Sequence, residues 1–392
     1  MKMLFIHDNK FWKCENSLYS YGHFSYDLLW KRYLKYFDNI VAGGRIEKVD
    51  DKEKIKNLVI TNGKNVSFFS LPNLMSFRGL LSYRIAENRI RHEMEKADFA
   101  VIRLPSNLGY LACKIANEMH KNYAVEVVGC AWDSLWNHGS LVGKVYAPIS
   151  FLLEKHFIRK APNVIYVSRN FLQKRYPNHH FNVGCPDSNV SLSSAKILEQ
   201  RINKIHKMED KTIKIGLIAS LNIAYKGHDT AILALEQVAK KHSNVKLCFL
   251  GDGSPDKWSK LAEEHGVEDK VEFCGTLPGG EPVLRWLDDI DIFVMPSLQE
   301  TLGRALIEAM SRGCPAIGGA GTAVPEQLPD DCIHERKNYN QLADMINYMI
   351  EHPKYMELCA SENFERAKKY SEEILNERRD HFWNTAIGKV DR

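Results

Sequence analysis

Short apolar runs that suit β-strands alternate with helical stretches from one end of this 392-residue chain to the other. No other feature limits the fold as much. A short, continuously apolar strand has two faces to bury, and a parallel sheet with helices on both sides buries both. In the first half, strands are expected at 2–7, 39–43, 66–71, 99–104, 123–129 and 163–168, with helices such as 24–37, 78–96, 106–121 and 144–160 between them. The second half repeats the pattern, with strands expected at 213–219, 245–250, 271–274, 291–296, 314–318 and 331–334. Between the halves, 182–212 opens on the turn-rich Asn182-Val-Gly-Cys-Pro-Asp-Ser-Asn189 and continues as a polar, helix-like stretch. The length exceeds what one core usually serves. The expectation is therefore an α/β protein of two doubly wound parallel-sheet domains, 1–190 and 191–370, with a terminal helix, 371–392, packing back toward the first. Ligands of such sheets bind outside the carboxyl ends of the strands.

Composition narrows the function by exclusion. A formal charge of +4 is too small to argue for nucleic acid, and no dense Lys/Arg stripe with interleaved aromatics is present. The nine cysteines are scattered without a Cys-x-x-Cys, and several sit in apolar runs such as Leu247-Cys-Phe-Leu250. That suits buried free thiols in a reducing compartment. Met1-Lys-Met-Leu-Phe-Ile-His-Asp8 reads as a strand rather than a signal peptide, and no apolar run reaches the ~18 residues of a spanning helix. A cytoplasmic protein is expected, with the inner face of a membrane as a further setting.

The chemistry gathers at strand ends of the second half. Ile292-Phe-Val-Met-Pro-Ser297 runs into Glu300-Thr-Leu-Gly-Arg-Ala-Leu-Ile-Glu308. Eight residues of helix rotate by about 800°, so the two glutamates converge best if Glu300 precedes the helix and Glu308 lies about two turns inside it. Glu308 sits among Ala305, Leu306, Ile307, Ala309 and Met310, an apolar setting in which a carboxylate needs a partner. Two carboxylates beside a helix N-terminus suit a ligand with hydroxyls and phosphates: the N–H groups take the anion and the carboxylates the hydroxyls. Three further strand ends join them. Tyr225-Lys-Gly-His-Asp229 can aim Lys226 at a phosphate, Leu247-Cys-Phe-Leu-Gly-Asp-Gly253 places Gly251 and Gly253 at a turn, and Cys314-Pro-Ala-Ile-Gly-Gly-Ala-Gly321 ends in small residues. Each alone reads equally as an ordinary turn. No Gly-x-Gly-x-x-Gly supports a dehydrogenase.

Taken in this order, residues 213–328 resemble the donor domain of the retaining glycosyltransferases of family 4, most closely over Pro296-Ser-Leu-Gln-Glu-Thr-Leu-Gly-Arg-Ala-Leu-Ile-Glu-Ala-Met-Ser-Arg-Gly-Cys-Pro315. The resemblance implies the GT-B fold, two Rossmann-like domains facing a deep cleft, and relatives that build capsule or other surface polysaccharides. It implies that Glu308 holds the ribose of a nucleotide sugar and Glu300 the donor sugar. Thr301, Leu302 and Gly303 would offer backbone N–H groups, and Lys226 would neutralise the departing diphosphate. Many members carry an Arg five residues before the Lys; here that position is Leu221, flanked by Ser220 and Asn222. Arg304, or Ser220 with Asn222, would have to substitute. No divalent metal or other cofactor is expected, since the segment around the acidic pair has no Asp-x-Asp triplet.

The first half resembles the family more weakly. His23, in Ser20-Tyr-Gly-His-Phe-Ser-Tyr26, opens the first helix directly after the first strand and reads equally as an acceptor contact and as a structural histidine. Val127-Val-Gly-Cys-Ala-Trp-Asp-Ser-Leu-Trp-Asn-His-Gly139 places Trp132, Asp133, Trp136 and His138 beyond a strand end, where Trp rings and a carboxylate suit a sugar acceptor. Asp133 is a candidate base toward the acceptor hydroxyl. Arg78, Arg84, Arg89 and Arg91 lie among Phe77, Leu80, Leu81 and Ile90, a stretch that reads as a solvated helix or as a peripheral membrane contact. The expected activity is retaining, metal-independent transfer from a nucleotide-diphosphate sugar to a carbohydrate or lipid-linked hydroxyl. The rival readings are a sugar-nucleotide epimerase on the same architecture and a non-catalytic nucleotide-sugar or partner-binding protein.

Overall fold

The computed structural model describes residues 1–74, 79, 81–137, 140–186, 194–208 and 211–388. The chain forms two compact units, Met1–Cys185 with Arg378–Arg392, and Pro186–Glu377. The divide expected at 190/191 lies within 187–193, outside the described residues.

The first unit is built on seven parallel strands in the order 66–70, 39–48, 2–14, 99–104, 123–127, 163–166 and 181–184. The first strand is longer than expected. It runs from Lys2 to Cys14, with a register irregularity between Ile6 and Lys10 where the polar His7-Asp8-Asn9 interrupts the apolar run. Its far half pairs antiparallel with Ser17–Ser20, which in turn pairs with Val59–Ile60. A hairpin therefore separates the first strand from the first helix, where a direct connection was expected. The final helix, Glu372–Ala386, brings Trp383 into the aromatic core of this unit. Its indole meets Tyr33, Phe37 and Phe99 at centroid distances of 5.6, 6.0 and 6.5 Å.

The second unit is a six-stranded, all-parallel sheet in the order Val271–Phe273, Val245–Leu250, Ile213–Ile218, Ile292–Met295, Ala316–Gly319 and Ile333–His334. Isoleucine, leucine, valine and phenylalanine fill its strands, and helices such as His228–Lys241, Arg304–Ser311 and Tyr339–Glu351 bury their apolar faces in the same core. The strand order reverses between Ile213–Ile218 and Ile292–Met295, whose neighbours lie on opposite sides. Where the order reverses, the two following connections leave in opposite directions and open a crevice. No helix among the described residues is long and apolar enough to cross a membrane. All nine cysteines are free, eight of them buried.

Candidate functional site

Both connections at the reversal carry charge. After Ile213–Ile218 the chain makes a short turn, Ala224–Lys226, and enters the helix His228–Lys241 through Gly227 at φ +83°. This glycine is required twice over. A left-handed φ disfavours any side chain, and a Cβ here would lie 2.4 Å from the carbonyl oxygen of Pro296, at the end of the other strand. The two connections therefore touch through backbone. That contact sets the Lys226 ammonium 2.6 Å from Glu300 Oε1, with both side chains mostly buried.

Glu300 precedes the helix Arg304–Ser311, as expected, but Glu308 lies about one turn inside it rather than two. The helix starts late because Gly303, at φ +70°, ends the loop in a left-handed conformation. The N-cap residue, Gly303, has no side chain with which to cap this N-terminus. Its first-turn N–H groups thus keep their affinity for an acceptor. Burial raises Glu308 above the usual carboxylate range, and among the described residues it is paired with Arg304 Nε at 3.4 Å, on an exposed side chain. Such a carboxylate gains from hydroxyl donors that replace lost water. Lys226, Glu300, Arg304 and Glu308 line one hollow of about 310 Å³, closed by Ile218, Gly279, Val283, Met295 and Ala305.

The loop between the glutamates is held from behind. The Gln327 side-chain amide, itself buried, donates to the Leu302 carbonyl, and the Leu302 side chain packs against Ile307 and Tyr370. Turning the Leu302 carbonyl toward Gln327 fixes the peptide planes of Thr301, Leu302 and Gly303. Sequence reasoning missed Gln327. Its signal was only a polar residue in the otherwise apolar stretch after Val324-Pro-Glu326.

The other donor-side candidates form a separate group. Gly251 approaches the backbone so closely that a Cβ would stand 2.0 Å from the Ala219 carbonyl oxygen, and at Gly253 a Cβ would meet the Asn222 amide at 2.7 Å. Ser220 Oγ donates to the Asp252 carbonyl at 3.4 Å. Asn222 accepts from Ser254 N at the same distance. These residues knit two strand ends together. Leu221 is buried in the core, and its carbonyl accepts from Trp258 Nε1 at 2.8 Å. One Asp-x-Asp triplet does occur upstream, Asp289-Ile290-Asp291. It precedes the strand Ile292–Met295, at the opposite end of the sheet from the hollow. Asp291 is bound to Lys204 Nζ and Lys214 N, both at 2.8 Å, and Asp289 pairs with Lys214.

In the first unit, Asp133 is buried and clamped by Arg175, at 2.9 and 3.1 Å to its two oxygens. The bidentate pair takes one lone pair of each carboxylate oxygen and fixes the orientation of the group. Trp132 and Trp136 share the helix Ala131–Trp136 with their rings stacked at 5.2 Å, Trp132 half-buried and Trp136 exposed. His23 lies in the short turn Gly22–Phe24, stacked on Tyr21 at 6.1 Å. His138 and Arg78 lie outside the described residues. On the helix Tyr83–Lys96, Arg91 pairs with Glu118 at 2.6 Å and Arg89 donates to the Ser70 carbonyl at 2.8 Å.

Comparison with known proteins agrees with this architecture. The glycosyl transferases group 1 profile matches residues 199–369. Over nearly its whole length the chain is similar to Protein CapJ of Staphylococcus aureus, at 31% identity over 381 residues, 97% of this chain and 94% of that one. The amylovoran biosynthesis glycosyltransferase AmsK of Erwinia amylovora is 29% identical over 37% of each chain. Among solved structures, a sucrose-phosphate synthase of Thermosynechococcus elongatus superposes with a TM-score of 0.67 at 15% identity, covering 99% of both chains. Anabaena HepE, solved with UDP, gives 0.65 at 15% identity over 97% of this chain and 99% of its own. The fold is that of the GT-B glycosyltransferases, and the chain belongs to the group 1 glycosyl transferases.

Proposed function

We propose that this glycosyltransferase moves a sugar from a nucleoside-diphosphate sugar to a carbohydrate hydroxyl, with retention at the anomeric carbon, in the assembly of a surface polysaccharide. The observation that carries this reading is the hollow at the strand-order reversal, where Lys226, Glu300, Arg304 and Glu308 meet beside the N-terminus of the helix Arg304–Ser311. Glu308 receives the ribose hydroxyls and Glu300 the donor sugar. Lys226, already oriented by Glu300, neutralises the diphosphate as it leaves, and the N–H groups of Thr301, Leu302 and Gly303 add fixed dipoles. Leu221 offers no cation, so Arg304 is the second positive charge within reach of the diphosphate. The acceptor is assigned to the first unit, with Trp136 and His23 as its exposed ring contacts. The setting in polysaccharide assembly rests on relatives such as AmsK, and the nucleotide on neighbours such as HepE.

The test is release of nucleoside diphosphate across UDP-, GDP- and ADP-sugars, with Glu300→Ala as control and with chelator present. Glu300-dependent, chelator-insensitive release from one donor supports the reading. Conversion of the donor sugar without release would assign an epimerase instead, and binding without turnover in the presence of acceptor extracts a non-catalytic protein. The anomeric configuration of the product, read by NMR, tests retention.

A further inference from the structure

The helix Leu141–Lys160 of the first unit buries Ala147, Ser150, Glu154 and Ile158 on its inner face. Its outer face is apolar where a surface helix is normally polar. Leu141, Val142, Val145, Ile149 and Leu152 are between 52 and 80% exposed. At about 100° per residue, positions 141, 145, 149 and 152 fall within one stripe some 80° wide and three turns long. Exposed apolar residues scattered singly are ordinary, but a continuous stripe marks a contact surface. Trp136 lies just before the helix, exposed, with Lys144 Nζ 5.9 Å from its ring.

The charges around the stripe have one sign. The exposed ionisable residues of this helix are Lys144, Lys155, His156, Arg159 and Lys160. Its one acid, Glu154, is fully buried and accepts from Ala131 N at 2.8 Å. At the C-terminal end, His156, Arg159 and Lys160 join His179 and His180 around a hollow of about 400 Å³ whose lining holds no acid.

We propose that this face docks on an anionic lipid bilayer, with the apolar stripe entering among the headgroups and the basic end resting on their phosphates. Buried apolar area and attraction to anionic lipid add in such a contact. A symmetric pair of copies would set this basic face against itself. The assignment differs from the one sequence reasoning suggested. On the helix Tyr83–Lys96, Glu87, Glu93 and Glu95 alternate with the arginines, and Arg91 is already paired.

The experiment is co-sedimentation of the full chain with vesicles of phosphatidylcholine alone and of phosphatidylcholine with phosphatidylglycerol. Binding to the anionic vesicles, weakened by salt, is the expected result. Ile149→Glu with Leu152→Glu, and separately Lys155→Glu with Arg159→Glu, should each lower partitioning on the order of tenfold or more. All four side chains are exposed or nearly so, and unchanged thermal melting confirms that the variants fold. No binding to anionic vesicles, or binding by both double variants equal to that of the unaltered chain, overturns the proposal. So does a concentration-dependent dimer in light scattering that Ile149→Glu with Leu152→Glu dissolves, which would give the face to a second copy.

Discussion

Replacing Glu308 with Gln separates a binding carboxylate from a structural one. The substitution keeps the shape and removes the charge. In the unliganded protein that charge has little support: burial disfavours it, and Arg304, the partner at 3.4 Å, is 66% exposed. An ion pair so open to water contributes less than about 1 kcal/mol. Stability without ligand should therefore change by no more than about 1 kcal/mol in either direction. Nucleotide binding should change much more. A hydroxyl–carboxylate hydrogen bond is worth about 1.5–3 kcal/mol against about 0.5–1.5 for its amide counterpart. Two ribose hydroxyls then lose roughly 2–3 kcal/mol, about a 30- to 150-fold loss of affinity. Calorimetric titration with the nucleoside diphosphate of the active donor measures the second quantity, and thermal melting without ligand the first. Unchanged nucleotide affinity would refute the assignment. Loss of affinity together with a fall of several degrees in the unliganded melting temperature would refute the argument that Glu308 is unsupported in the empty site.

Gly227→Ala should cost about 2 kcal/mol or more in urea unfolding, because φ is +83° and the added Cβ meets the Pro296 carbonyl at 2.4 Å; a neutral result would mean that the two connections are not in backbone contact. Trp383→Ala should destabilise the first unit by about 3–5 kcal/mol through loss of its contacts with Tyr33, Phe37 and Phe99, read as an earlier transition in denaturant. Burial holds Glu154 protonated up to about 8, against an ordinary value of 4.5. The stability this group contributes is full below the unfolded pKa and is lost as pH rises through about 8. Glu154→Gln should flatten the fall of melting temperature with pH across that window, and an unaltered slope would contradict a buried neutral acid. Gln327→Leu should raise the KM for the donor more than it lowers stability, since it frees the Leu302 carbonyl without opening a cavity; equal KM values would show that the loop holds itself.

The second sheet was legible strand by strand because its inner strands are mostly apolar and buried. Phe181–Gly184 escaped notice because this edge strand is largely half-buried or exposed and carries no continuous apolar run. The first strand was cut short at His7-Asp8-Asn9, where polar residues interrupt a strand that nonetheless continues past an irregularity. In the site, Glu308 betrayed itself by its apolar neighbours, whereas Gly303 came only with the family resemblance. Pairings were invisible. Lys226 meets Glu300 across 74 residues and Arg175 meets Asp133 across 42, and only the packed sheet brings such partners together.

The terminal segment has a consequence for how this chain is made. Trp383 completes an aromatic cluster whose other members, Tyr33, Phe37 and Phe99, all precede the second unit in sequence and leave the ribosome before it. The whole of Pro186–Glu377 is synthesised in between. At about 5–20 residues per second, the nascent first unit waits on the order of 10–40 s with that cluster open. The second unit, contiguous in sequence, can close as soon as it emerges. Of the two units, the one translated first is thus the later to finish folding, and in the interval it is the one that a chaperone holding exposed aromatic surface would grip.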